Sequence, residues 1–283
     1  HDAEIIDRLV RSVAPRDGET VVEIGPGQGA LTFPLLEQVT HLTVVELDRD
    51  LIGRLRDQVP EDRLTIHQSD ALRFDFTALA EQGPLRVVGN LPYNISTPLI
   101  FHLLAQTGAI ADMTFMLQKE VVERLTAAPG GKDYGRLSVM VQYHCQADYL
   151  FPVPPGAFQP PPKVDSAVVR LIPYARPPWP ADDPAWLSRL VAQAFSQRRK
   201  AIRNSLTGYL QNVGKFNSGL KAIPSEGATL AVLASVAASH SGEVSWKKNA
   251  KFIRDLAGQM LTEKLARGRK SFEQVKTERK SVV

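Results

Sequence analysis

Apolar residues recur at helical spacing over residues 2–13, where Ile5, Ile6, Leu9, Val10 and Val13 share one face. The pattern then shortens into compact apolar runs. "TVVEIG" (20–25), "LTVVELD" (42–48), "RLTIHQSD" (63–70), "LRVVGN" (85–90), "DMTFML" (112–117) and "AVVRLIP" read as short buried strands. Between them, "LTFPLLEQV", "RDLIGRLRDQV", residues 97–106 and stretches near 119–127 and 136–143 read as helices. Strands alternating with helices at this spacing predict an α/β fold: a doubly wound, mostly parallel sheet covered on both faces. "FPVPPGAFQPPPKVDS" (151–166) is too rich in proline for a helix and reads as an ordered loop before the last strand. "ARPPWPADDP" (175–184) reads as a linker, after which helices resume. The predicted division is 1–176, then 184–263, then a basic tail at 264–283.

Composition changes this picture little; charge changes it more. The chain has 283 residues, 43% apolar and 23% charged, enough for one main domain and a smaller one. No apolar run approaches a membrane span and no signal peptide opens the chain, so no membrane partner is expected. The single cysteine, Cys145, is expected to be a buried small hydrophobe, which suits a reducing cytoplasm. The six histidines are scattered, so no metal site is expected. Residues 1–170 carry 15 Lys+Arg and 22 Asp+Glu, whereas residues 171–283 carry 19 and 8. A net of −7 joined to a net of +11 suits a second half that meets a polyanion, although a solvated basic surface would look the same.

The chemistry collects at strand ends. Glu23-Ile24-Gly25-Pro26-Gly27-Gln28-Gly29-Ala30 closes the first strand with glycines that let a ligand approach the backbone. Gly25, Gly27 and Ala30 also satisfy the G-x-G-x-x-A pattern of dinucleotide binders. Glu46, 21 residues after Gly25, ends the second strand where a carboxylate can accept two ribose hydroxyls. Asp70 and Ala71 end the third, where a carboxylate can take an adenine amino group. All of this suits either NAD or S-adenosylmethionine. The fourth strand end, Asn90-Leu91-Pro92-Tyr93, separates them. An adenine amino nitrogen is a poor nucleophile because its lone pair is delocalised into the ring. The Asn90 side-chain oxygen and the Leu91 carbonyl are two acceptors for its two hydrogens. Pro92 braces the turn and has no N–H to compete. Tyr93 offers a stacking face for a flipped base, worth about 1–3 kcal/mol. A hydride-transfer site needs none of this set.

These residues, with "EIGPGQGALT", "VVELDRDL", "FMLQKEVVERL", "YGRLSVMVQY", "FQPPPKVDSAVVRL" and "FSQRRKAIRNSL", resemble the small-subunit rRNA adenine dimethyltransferase family over roughly residues 1–210. The large-subunit rRNA methyltransferases are also similar, but usually carry isoleucine where Leu91 stands. The resemblance implies a class I, Rossmann-like methyltransferase domain at 1–176. A helical, basic RNA-binding domain follows at 184–263. It implies S-adenosylmethionine as cofactor and dimethylation of two adjacent adenosines in the hairpin near the 3′ end of small-subunit rRNA. A cytoplasmic monomer acting on the immature small ribosomal subunit is expected. Gly25, Gly27, Glu46, Asp70, Ala71 and Asn90 would contact the cofactor, with Glu23 supporting the loop, and Phe158 would stack opposite Tyr93. Lys163 is a candidate for RNA phosphate. Arg198, Arg199, Lys200 and Arg203 read independently as a phosphate-binding stretch. The family's Gln-Asn-Phe-Leu segment would precede residue 1, and its pattern is not followed after about Leu210. Two rival functions remain: a non-catalytic rRNA-binding assembly factor, and an NAD-dependent oxidoreductase.

Overall fold

Asp2 starts the first helix by capping it: its carboxylate accepts the N–H groups of Glu4 and Ile5 at 3.0 and 3.2 Å. The helix, α1 (Ala3–Val13), stops where Ala14 turns into the left-handed region and its N–H returns to the Val10 carbonyl. Leu9, Val10 and Val13 form its buried face. The computed structural model describes residues 2–129, 131–178, 180–181 and 183–196.

The elements that follow are β1 (Thr20–Ile24), α2 (Thr32–Leu36), β2 (Leu42–Glu46), α3 (Arg49–Gln58), β3 (Leu64–Gln68), β4 (Leu85–Asn90) and α4 (Ser96–Leu104). Next come β5 (Ile110–Gln118), α5 (Lys119–Leu125), α6 (Arg136–His144), β6 (Cys145–Val153), β7 (Ser166–Pro173) and α7 (Pro184–Ser196). The chain divides into two compact units. The first, His1–Ala127 with Val141–Trp179, carries a seven-stranded sheet in the order β3-β2-β1-β4-β5-β7-β6. β1 to β5 run parallel, while β7 is antiparallel to β5 and β6 antiparallel to β7. The second unit includes Ala128–Met140 and resumes at Pro180; among its described residues is α7.

The predicted mostly parallel, doubly wound sheet is therefore present, with one addition. Residues 145–153 form a strand that the sequence pattern does not announce, and the reading of 151–166 as loop places Phe151, Pro152 and Val153 wrongly. A proline normally argues against a strand because it cannot donate to the ladder. β6 pairs with β7 alone and lies at the sheet edge, where one side of the strand has no partner and a proline is tolerated. Other boundaries tighten. The helix expected over "LTFPLLEQV" spans Thr32–Leu36, and a short 3₁₀ segment, Phe76–Gln82, precedes β4.

The central strands bury nearly everything they carry: Val21, Val22, Val44, Val45, Val87 and Val88 are all sealed from solvent. Cys145 is free and fully buried, and burial pushes its thiol up to about 12. Among the described residues no helix is long and apolar enough to cross a membrane.

Candidate functional site

Parallel strands deliver their carboxyl ends to one edge, so the β1 to β4 ends lie side by side there. Between β1 and β4 the chain order reverses, and a cavity of about 210 Å³ opens. Its lining includes Glu23, Gly25, Gly27, Gln28 and Asn90, together with Ile5, Ile6 and Leu9 of α1 and Val153, Ala157 and Phe158.

The glycine loop leaves β1 through Gly25, whose N–H donates to the Val45 carbonyl at 3.0 Å. At Gly27 the backbone adopts φ +56, a left-handed turn that a Cβ would strain. The Gly27 N–H donates to Oε2 of Glu46 at 3.3 Å. Oε1 of the same carboxylate accepts from the N–H groups of Leu47 and Asp48 at 2.8 and 3.0 Å. Glu46 thus ends β2, organises the turn after it and touches the loop. One strand over, the Ser69 N–H donates to the Glu46 carbonyl at 3.0 Å, which places Asp70 and Ala71 next in line. Asp70 accepts from the Leu72 N–H at 2.9 Å, and Arg73 stands 3.9 Å from its other oxygen. Ala71 is buried.

Glu23 differs from the other carboxylates. It is 1% exposed, accepts from the Thr32 hydroxyl at 2.7 Å, and faces the cavity. Burial pushes its carboxyl up to about 8; the Thr32 hydrogen bond opposes that shift and the nearby Glu46 charge adds to it.

At the end of β4 a glycine is demanded by contact. A Cβ on Gly89 would lie 2.6 Å from the Ile24 carbonyl oxygen, so β1 and β4 approach as closely as they do because position 89 is bare. Asn90 follows, exposed at the cavity. The Leu91 side chain is buried and its N–H donates to the Met116 carbonyl at 3.1 Å. Pro92 is exposed; its carbonyl accepts from the Ile95 N–H at 3.2 Å, closing the turn that starts α4. Tyr93 is half-buried, and its hydroxyl lies 2.8 Å from that of Ser166.

One cavity therefore gathers Glu23, Gly25, Gly27, Asn90 and Phe158, and Glu46 joins it through Gly27. Asp70, Ala71, Leu91, Pro92 and Tyr93 belong to neighbouring turns and do not line it. Lys163 is exposed on the loop before β7. Arg198, Arg199, Lys200 and Arg203 lie outside the described residues, as does the basic tail at 264–283. Among the described residues no group of three or more His, Cys, Asp or Glu side chains is placed to hold a metal ion.

Sequence reasoning missed the apolar walls. Ile5, Ile6 and Leu9 were legible as a helix face, but nothing local told that α1 lies over the glycine loop. The Asp2 N–H donates to the Ala157 carbonyl at 3.3 Å, and Arg8 stands 4.0 Å from the centre of the Phe151 ring. Leu47 was also missed. It is 63% exposed immediately after Glu46, and a bare leucine beside a strand-end carboxylate was the available signal.

A family model described as Ribosomal RNA adenine dimethylase matches residues 1–222. The chain belongs to the ribosomal RNA adenine dimethylase family. Among its relatives, "Ribosomal RNA small subunit methyltransferase A" of Alcanivorax borkumensis is 70% identical over 211 residues, covering 74% of this chain and 75% of that protein. The protein of the same name from Pseudomonas aeruginosa is 62% identical over 208 residues, covering 73% and 78%. Among solved structures, the 23S rRNA methyltransferase ErmE is 25% identical with a TM-score of 0.58, covering 74% of this chain and 88% of its own. A dimethyladenosine transferase from Plasmodium falciparum is 22% identical with a TM-score of 0.59, covering 99% and 97%, and shares the fold.

Proposed function

We propose that the chain is an S-adenosylmethionine-dependent rRNA methyltransferase that dimethylates N6 of two adjacent adenosines in the 3′-terminal hairpin of small-subunit rRNA. The observation that carries this is Asn90. It ends β4 on the rim of the same cavity that holds the glycine loop and Phe158.

The donor set fits the cofactor. The glycine loop presents backbone without side chains, and three N–H groups occupy the Glu46 carboxylate, which has roughly four lone-pair sites. The longest of those bonds, from Gly27 at 3.3 Å, is the one that ribose hydroxyls would replace. Asp70 is one strand away for the adenine amino group, and the exposed Leu47 offers an apolar face beside it. The cofactor, when bound, supplies an electrophilic methyl on sulfur.

The chain's own residues do the rest. The Asn90 side-chain oxygen and the Leu91 carbonyl accept the two amino hydrogens, which favours a pyramidal nitrogen with its lone pair directed at the methyl. Pro92 contributes no competing N–H. Tyr93 and Phe158 hold the flipped base between their faces. Ile5, Ile6 and Leu9 exclude water from the cavity, so catalysis is mainly positioning and desolvation. The amino proton leaves to water after transfer, without a dedicated base.

Residues 1–176 are the catalytic domain in this reading. The basic stretch at 184–263, with Arg198, Arg199, Lys200 and Arg203, holds rRNA with help from Lys163. The enzyme acts as a monomer in the cytoplasm on the immature small subunit. Radiolabelled methyl transfer to immature small subunits tests this. Asn90→Ala is expected to abolish turnover while S-adenosylmethionine affinity stays within roughly a few-fold, as for a contact made mainly in the transition state. Methylation by Asn90→Ala at the unsubstituted rate overturns the assignment.

A further inference from the structure

The serine that opens β7 is polar where its neighbours are not. Ser166 is fully buried and followed by Ala167, Val168 and Val169, which are buried as well. A buried hydroxyl left without a partner is destabilising by about 1–3 kcal/mol. Ser166 has one: the Tyr93 hydroxyl, 2.8 Å away and 73 residues earlier in the chain. Tyr93 is only half-buried, so water could have served its own hydroxyl. The bond therefore constrains the tyrosine more than it satisfies it.

Ser166 also stands at a junction. It pairs in register with Gln118 at the end of β5 and with Val153 at the end of β6. Val153 lines the cavity and leads directly into the 3₁₀ turn Pro155–Ala157. That turn is closed by the Ala157 N–H on the Pro154 carbonyl at 3.0 Å and the Phe158 N–H on the Pro155 carbonyl at 3.2 Å. Few torsions separate Ser166 from Phe158 along this path. On the other side the Tyr93 backbone is held by its carbonyl, which accepts from the Ser96 hydroxyl at 3.1 Å. The Tyr93 ring is thus anchored at its backbone and at its hydroxyl.

We infer that Ser166 is a positioning residue which, through the Tyr93 hydroxyl, sets the spacing between the Tyr93 ring and Phe158, and so the plane in which the target adenine is held. This rests on the assignment of those two rings as stacking faces. The phenol's hydroxyl is committed to the protein frame, so its removal loosens the ring without removing the stacking face and takes no acid or base from the reaction.

The test compares Tyr93→Phe, Ser166→Ala and the double variant in methyl transfer to immature small subunits. S-adenosylmethionine affinity and thermal melting are measured on each. Each single substitution is expected to lower kcat by about tenfold, less than the roughly hundredfold that a 1 Å misplacement can cause, with cofactor affinity within roughly twofold. The double variant is expected to match either single one within roughly twofold, because both delete the same bond. Losses that multiply in the double variant overturn the inference. So does a large effect of Tyr93→Phe beside a silent Ser166→Ala, which would mark the hydroxyl as a chemical group. Tyr93 is itself only half-buried, so Tyr93→Phe is the milder change, and a normal kcat for it is decisive against the inference even if Ser166→Ala fails to fold. If the unsubstituted protein transfers no methyl to adenine, the functional assignment fails first. If it does and all three variants equal it, only the inference about Ser166 falls.

Discussion

Glu23 carries a titration with a measurable consequence. Its carboxyl is raised to about 8 by burial, against 4.5 for an ordinary glutamate. Between those values the folded protein holds a proton that the unfolded chain has released. The resulting stability is complete below about 4.5, declines as pH rises, and is gone above about 8. Thermal melting of the ligand-free protein across that window should show a downward slope, and Glu23→Gln, neutral in both states, should flatten it. An equal slope in both proteins would mean that another group is responsible. The glutamate itself was legible as a residue near the end of the first strand, and its part in supporting the loop was only what the family resemblance implied. Its 1% exposure was not legible, because a glutamate one position from a strand end faces the interior or solvent according to what covers it.

At the scale of elements, α1 is fastened from its far end. Arg86 on β4 donates to the carbonyls of Val13 and Ala14 at 2.6 and 2.9 Å, and pairs with Glu19 at 2.8 Å and Asp112 at 2.7 Å. Its side chain is 11% exposed. Removing one partner of a buried ion pair is destabilising by about 3–5 kcal/mol. Asp112 would keep Arg170 at 3.4 Å, which puts Arg86→Met at the low end, about 3 kcal/mol by urea unfolding. Because α1 walls the cavity with Ile5, Ile6 and Leu9, the same variant should bind S-adenosylmethionine more weakly. Unchanged affinity together with lost stability would show that the helix keeps its place without the arginine. The helix was readable from its apolar spacing, as were β1 to β5. β6 was hidden because Pro152 signals against a strand, and only its place at the sheet edge makes the proline harmless.

For the molecule as a whole, the uneven charge is the feature with a measurable consequence. The first 170 residues are acidic and the remainder basic. RNA held by the basic stretch should dissociate as salt rises, since each neutralised phosphate releases counterions. Replacing Arg198 and Arg199 by alanine is expected to reduce the slope of log affinity against log salt by about two, with cofactor binding unaffected. A slope that does not change would move the RNA contact elsewhere.

The sequence alone determined the alternation of strands and helices, the glycine loop, the carboxylates at successive strand ends and the Asn90–Tyr93 turn. Those features are written in local periods and turn chemistry, which act over a few residues. The tertiary structure decided what meets across long separations: α1 over the loop, Glu23 sealed from water, β6 at the edge and Tyr93 bonded to Ser166. Such contacts depend on strand order and packing, and no local pattern specifies that two hydroxyls 73 residues apart will lie 2.8 Å from one another.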